Sequence, residues 1–150
     1  MSPIEIGAQA PLIPGVDLDA GPKAVVFYKV TCPVCQMAAP KVSVLDGAFP
    51  GRVVGVGQDP ADALEAFDDR FDFGAPTTSD TPPYPASDAY AIESVPTLVL
   101  VGEDGVVADV VQSWDRDGYN RVAAELAELT GRPPVVVSAP DDGLPPFRPG

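Results

Sequence analysis

The chain has 150 residues, a formal net charge of −13 and no histidine. This length is enough for one domain with a buried core that needs no disulfide or metal ion, and the negative charge disfavours nucleic acid and anionic membranes as partners. The lack of histidine excludes imidazole general bases, Ser-His and Cys-His nucleophilic pairs and imidazole-based zinc sites.

The beginning of the chain carries no recognisable export signal. Residues 1–11 have neither a basic stretch nor an apolar run of signal-peptide length, and no later segment is long enough to span a bilayer. The sequence therefore predicts a cytoplasmic protein without membrane contact. An exported chain whose leader had been replaced by Met1 would look the same.

The first third of the chain predicts a lead-in, a strand and a helix. Four prolines indicate an extended segment over residues 1–22. A nearly continuous apolar run over residues 24–30 is typical of a strand that is buried on both faces. Apolar residues spaced three and four apart over residues 32–45 then predict a helix, with Pro33 in its first turn.

The strand and helix pattern repeats in the middle of the chain. Residues 52–57 predict a second buried strand, and residues 60–71 an amphipathic helix with Asp59 as a possible N-cap. Such alternation is typical of a parallel sheet with helical crossovers. Residues 74–85 predict a loop that holds a brief strand at 77–79.

The following segment changes from helical to strand patterns. Residues 86–92 suit a short helix, and residues 97–101 and 106–111 are strand-like. The Asp104-Gly105 pair between these two strands is a strong hairpin signal. The sequence therefore predicts an antiparallel pair at this end of the sheet.

A last helix and a proline-rich tail complete the sequence. Val122, Leu126 and Leu129 mark the helix, which Gly131 should end. Residues 132–150 contain six prolines and little periodicity. We therefore expect this tail to be extended or flexible.

Both cysteines of the chain lie in the sequence T-C-P-V-C, as Cys32 and Cys35. Such a pair can be a redox couple, half of a metal site or two inert residues. At the end of a strand and the start of a helix, Cys32 would face unpaired N–H groups and the positive end of the helix dipole, which favour the thiolate. Residues 20–45 also hold all three lysines and no acidic residue. Cys35, one turn later, would face inward and resolve a mixed disulfide.

The segment T-C-P-V-C-Q-M-A-A-P resembles the active site of thioredoxin-fold thiol-disulfide oxidoreductases, in which a proline five residues after the second cysteine bends the helix. Pro40 has that position. These proteins also have a cis-proline that faces the cysteines at the start of a later strand, and Val95-Pro96 followed by T-L-V-L-V resembles it. The hairpin and the last helix follow in the family's order, so the resemblance covers about residues 4 to 130.

This resemblance implies a fold class and a domain organisation. The expected fold is α/β and thioredoxin-like, with a central mixed sheet of four to five strands flanked by helices, over residues 1–131. The lead-in I-G-A-Q-A-P-L-I-P-G-V-D-L and a strand-helix insertion before V-P-T look most like the redoxin branch, the TlpA-like and peroxiredoxin-like proteins. Residues 132–150 would form a separate tail.

The resemblance also implies an activity and the residues that perform it. The protein would exchange disulfides with protein partners, receive electrons from a dithiol donor, act as a monomer in cell redox homeostasis and antioxidant defence, and need no cofactor or metal. The implied site residues are Cys32 as nucleophile, Cys35 as resolving thiol, Val95, cis-Pro96 and Thr31 as substrate contacts, and Pro33, Val34 and Pro40 as supporting residues.

Two positions depart from the thioredoxin pattern. Thr31 stands where many thioredoxins have a tryptophan, and Val26 where many have a buried aspartate. Substrate contact and proton transfer from Cys35 should therefore differ from those proteins. The intervening Pro33 and Val34 do not reveal whether the pair reduces or oxidises its partners.

A peroxidase of peroxiredoxin type is the first alternative. Those enzymes carry a P-x-x-x-T/S-x-x-C motif, whereas Tyr28 and Lys29 lie four and three residues before Cys32 here. The peroxide pocket is therefore not matched.

A Cu(I)-binding module is the second alternative, because T-C-P-V-C also resembles the metal loop of heavy-metal-associated domains, where two thiolates bind the ion. Those domains are about half as long, and their βαββαβ pattern explains neither Pro40 nor Val95-Pro96-Thr97. Structural zinc would need four good ligands from two cysteines and no histidine.

Overall fold

A computed structural model describes residues 3–150; residues 1 and 2 of the predicted lead-in lie outside the described residues. The strands and helices are, in chain order, β1 Lys23–Tyr28, α1 Pro33–Ala48, β2 Val53–Gly57, α2 Ala61–Phe71, β3 Thr77–Ser79, α3 Pro85–Ala89, β4 Thr97–Val101, β5 Val107–Gln112, β6 Trp114–Asp115, α4 Arg116–Thr130 and β7 Phe147–Arg148. No helix within residues 3–150 has both the length and the apolar composition to cross a membrane.

Five strands form one mixed sheet in the order β3-β2-β1-β4-β5. β1, β2 and β3 run parallel, while β4 is antiparallel to both β1 and β5. The parallel pairs are joined by α1 and α2 as crossovers. The short Asp104-Gly105 turn joins β4 to β5. The predicted α/β fold with a mixed sheet is confirmed.

The sheet is covered on both faces, which explains the continuous apolar sequence of β1. Val26 and Tyr28 point into one core, together with residues of α1, α2 and α4. Val25 and Phe27 point into a second core, which the N-terminal segment and α3 cover. Because successive side chains of a strand face opposite sides, both sets have to be apolar here.

The structure corrects the expected cap of α2. The helix begins after Pro60, and no side chain caps it. The Asp59 carboxylate instead accepts a hydrogen bond from the backbone N–H of Val30, at 2.9 Å. Asp59 thus ties the end of β2 to the loop that follows β1, immediately before the cysteine pair.

The last helix begins earlier than its apolar spacing indicates. α4 starts at Arg116 because the Asp115 carboxylate caps it, accepting from the N–H of Gly118 at 3.3 Å. It ends at Gly131, whose φ of 67° is the left-handed conformation that glycine adopts readily. Leu129 is 37% exposed, so it lies at the margin of the core.

Residues 132–150, for which the sequence predicts an extended or flexible tail, contact the domain. Residues 132–150 are mostly irregular, but they lie against α4 and β6. The indole N–H of Trp114 donates to Pro145 O at 2.7 Å, and the buried Arg116 guanidinium donates to Leu144 O at 2.7 Å. β7 pairs with β6 in an antiparallel ladder. The tail is extended, as its prolines indicate, and it is bound to the domain.

A substitution at Gly55 tests how tightly side chains pack against the sheet. A Cβ added at this residue would lie 2.8 Å from the Phe73 ring and 2.9 Å from the Tyr28 ring. These rings stack with centroids 4.6 Å apart, so neither can move freely. Gly55→Ala should lower the free energy of unfolding by roughly 1 to 3 kcal/mol in chemical denaturation. Gly47→Ala, where an added Cβ meets nothing within 4 Å, should not lower it.

Candidate active site

Cys32 occupies the N-cap position of α1. Its backbone is extended, and its sulfur accepts a hydrogen bond from the N–H of Cys35 at 3.2 Å. Pro33 follows as the first helical residue, where the N–H that proline lacks would have no helical partner. Neither cysteine is in a disulfide; Cys32 is half-buried and Cys35 is buried.

The pKa values of the two thiols are shifted in opposite directions. Cys32 has a pKa lowered to about 6, first by the hydrogen bond from the Cys35 thiol and further by the N–H groups of Cys35 and Val34 and the charge of Arg148, against the effect of burial. The pKa of Cys35 is raised by its hydrogen bond to Cys32 and by burial. The pair therefore holds one thiolate and one retained proton at neutral pH.

The Val95-Pro96 loop lies directly against Cys32. The Cys32 sulfur is 3.4 Å from Val95 O, and the Val95-Pro96 peptide bond is cis. Thr97 begins β4 opposite Phe27 of β1, which brings this loop to the end of the sheet where α1 starts. The fold thus brings together the cysteines and the loop that the sequence resemblance paired with them.

The other predicted site residues surround the pair in different ways. Thr31 and Pro33 are exposed beside Cys32, whereas Val34 is buried in the core that α1 covers. Pro40 lies inside α1, with an exposed side chain. Substrate contact by Thr31 and the supporting roles of Pro33, Val34 and Pro40 stay predictions.

Arg148 is a site residue that the sequence did not indicate. Its guanidinium lies 4.0 Å from the sulfur of Met37 in α1, and its positive charge acts on Cys32. The pairing of β7 with β6 holds it there. The sequence offers no local signal for this placement, because it depends on contacts between the tail and residues more than thirty positions earlier.

Tyr119, which the sequence indicates as a packing residue, also lies near the cysteine pair. Its fully buried hydroxyl has no hydrogen-bond partner, and burial followed by the charge of Cys35 raises its pKa. Val26, where thioredoxins have an acid, is buried and apolar. Tyr119 therefore provides a buried polar group that interacts electrostatically with Cys35.

The site offers few ligands to a metal ion. Residues 3–150 contain no cluster of three or more histidine, cysteine or acidic side chains that could hold one. Cys32 and Cys35 are the only thiols, so any soft metal ion bound here would have to share these two sulfurs.

Similar solved structures are thiol-disulfide oxidoreductases. MTB dsbF, in its mixed oxidized and reduced forms, has 26% identity, with 73% of this chain and 83% of that chain covered and a TM-score of 0.63. A secreted Mycobacterium tuberculosis disulfide oxidoreductase homologous to E. coli DsbE has 24% identity, with 71% and 84% covered and a TM-score of 0.60.

The thioredoxin domain of a thiol-disulfide oxidoreductase from Bacteroides vulgatus has 19% identity, with 82% of this chain and 99% of that chain covered and a TM-score of 0.69. No family model and no curated protein sequence matches the chain. The resemblance to thioredoxin-fold thiol-disulfide oxidoreductases is confirmed at the level of structure.

The lowered pKa predicts the pH dependence of Cys32 alkylation. Because only the thiolate reacts, the rate constant with iodoacetamide should fall as the pH drops through about 6, with little further rise above pH 7. Mass spectrometry should locate the modification on Cys32 and leave Cys35 unmodified. A midpoint near 8.5, the value of an ordinary thiol, would contradict the assignment.

The positive charge of Arg148 should lower the pH midpoint of Cys32 alkylation. Arg148→Ala should raise the pKa of Cys32 only slightly, because an exposed charge pair contributes little, and the shift should shrink at high salt. Arg148→Lys keeps the charge and should retain most of the effect. An unchanged midpoint in Arg148→Ala would show that the guanidinium does not act on the thiolate.

Proposed function

We propose that this protein is a thiol-disulfide oxidoreductase that exchanges its Cys32/Cys35 dithiol with disulfides of protein partners. The observation that carries the proposal is the juxtaposition at the start of α1. A half-buried thiolate accepts an N–H from the residue that resolves it, and lies 3.4 Å from the backbone of a facing loop. Two similar structures support it: MTB dsbF in its mixed oxidized and reduced forms, at 26% identity, and a secreted disulfide oxidoreductase, at 24% identity.

The exchange takes place in two displacement steps. The Cys32 thiolate attacks one sulfur of a substrate disulfide, a mixed disulfide forms, and the other substrate sulfur leaves as a thiolate that takes up a proton. Cys35 then loses its proton and attacks the Cys32 sulfur, which releases the second substrate thiolate. Two electrons pass from the dithiol to the substrate, and Cys32 and Cys35 end as a disulfide.

The Val95 loop supplies the surface for a protein substrate. Val95 precedes β4, and the next residue cannot donate a backbone hydrogen bond because it is a proline. An extended substrate segment can pair with the Val95 backbone, as strands do when they add to the edge of a sheet. A hollow of about 130 Å³ beside Val95, lined by Gln58, Ile92, Glu93 and Ser94, is available for a substrate side chain.

The two alternatives have less support from the geometry. Tyr28, four residues before Cys32, is buried, and its hydroxyl donates to Asp68 at 3.0 Å, so it does not form a peroxide pocket with the thiolate. The five-stranded order β3-β2-β1-β4-β5 with a cysteine at the N-cap of a sixteen-residue helix accounts for Pro40 and Val95, which a Cu(I) module does not.

The reduction potential of the Cys32/Cys35 pair, relative to that of its compartment, sets the direction of electron flow. The sequence predicts a cytoplasmic monomer with a dithiol electron donor, but it does not give the direction in which the pair exchanges electrons. One similar structure is of a secreted protein. Reduction potentials in this fold span from about −270 mV to about −120 mV, so equilibration with glutathione will separate a reductase from an oxidase.

Cysteine variants test the proposed function. The reduced protein should catalyse the reduction of insulin by dithiothreitol, and Cys32→Ser should abolish this activity because the attacking thiolate is lost. Cys35→Ser should still attack but accumulate a mixed disulfide that mass spectrometry can detect. Rapid, saturable consumption of hydrogen peroxide without insulin reduction would indicate a peroxidase, and stoichiometric Cu(I) binding without any exchange would indicate a metal carrier.

A further inference from the structure

The end of the tail lies across the active site as a strap, which we define as residues 145–150. Trp114 donates its indole N–H to Pro145 O at 2.7 Å, and the N–H of Arg116 donates to Pro146 O at 3.0 Å. Arg148 pairs with Trp114, and the N–H of Gly150 donates to the Ser113 hydroxyl at 3.1 Å. The strap therefore follows β6 from the tail towards the Val95 loop.

The strap ends on the backbone where a substrate is expected to pair. A Cβ placed on Gly150 would clash with Val95 O, and it would lie 2.7 Å from Val95 C and 3.3 Å from the Pro96 ring. The same carbonyl oxygen is 3.4 Å from the Cys32 sulfur. Only glycine, which has no Cβ, allows the two backbones to approach this closely. Gly150 and an extended substrate segment cannot occupy this place together.

The strap is held by few contacts. Three of its six residues are prolines, which have no N–H to donate, and Phe147 is 55% exposed. Its two-residue pairing with β6 is short, and residues 146–150 are all exposed. Segments with little buried apolar surface and few backbone hydrogen bonds open at low free-energy cost. The strap is therefore suited to leave the site while the domain stays folded.

We propose that the strap is an internal occupant of the substrate edge, which a protein disulfide has to displace but a small disulfide does not. The inference rests on the proposed function. Cys32 is only half-buried, and a small disulfide does not need to pair with the Val95 backbone to react with it. An extended protein segment needs the Val95 backbone. Its apparent affinity is therefore its affinity for the open form multiplied by the fraction of molecules in which the strap is open.

Gly150→Ala tests the strap directly, because the added methyl group cannot fit against Val95 O and has to move the end of the strap. Gly47→Ala adds the same group where nothing lies within 4 Å and serves as the control. The reduced proteins are mixed with insulin or with oxidised glutathione, and the second-order rate constants are measured. The ratio of the insulin constant to the glutathione constant should rise severalfold in Gly150→Ala and stay unchanged in Gly47→Ala.

Amide hydrogen exchange at Arg116 provides the second measurement, because its N–H is bonded to Pro146 O. When Cys35→Ser is trapped in a mixed disulfide with an insulin chain, exchange at Arg116 should become faster than in the free variant. Unchanged protection in the trapped complex, or an unchanged rate ratio in Gly150→Ala, would overturn the strap proposal. Failure of the unsubstituted protein to react with either disulfide would instead overturn the proposed function.

Discussion

The hydrogen bond from the Cys35 backbone N–H to the Cys32 sulfur is the interaction on which the site depends. It exists because the chain leaves β1, turns, and begins α1 with the sulfur at the N-cap, so that the unpaired N–H groups of the first turn face a nucleophile. The mixed sheet then brings the Val95 loop to the same end. The start of α1 thus links the fold to the lowered pKa of Cys32, to which the Cys35 thiol contributes most and this N–H contributes further.

The different pKa values of the two thiols determine which of them reacts first in the proposed exchange. Hydrogen bonding to Cys32 is the largest cause of the raised pKa of Cys35. Once Cys32 enters a mixed disulfide, its negative charge is gone, and the pKa of Cys35 falls towards the range where it can attack. The resolving thiol is therefore released by the first step itself. Val26 leaves no buried acid at the position where many thioredoxins have one, and Tyr119, whose hydroxyl has no hydrogen-bond partner, interacts electrostatically with Cys35.

Local sequence signals predicted the elements that build the site. The bounds of β3 and β4 agree with the sequence expectation, and the start of α1 was evident from Pro33 after an apolar run. The tail was not predictable in this way, because Arg116, Trp114 and Ser113 hold it through side chains that are remote in sequence and follow no period. Asp59 was misassigned because an acidic residue before a helix suggests a cap, while a distant backbone N–H was the better partner.

The position of the strap in the chain has a consequence during synthesis. Cys32 and Cys35 leave the ribosome more than a hundred residues before Arg148, and β4 completes the facing loop while the strap is still unmade. Because a chain folds from its N-terminus as it emerges, the dithiol is assembled uncovered on the nascent domain. Until the strap settles on β6, an extended protein segment can reach the Val95 backbone of a growing chain without displacing residues 145–150.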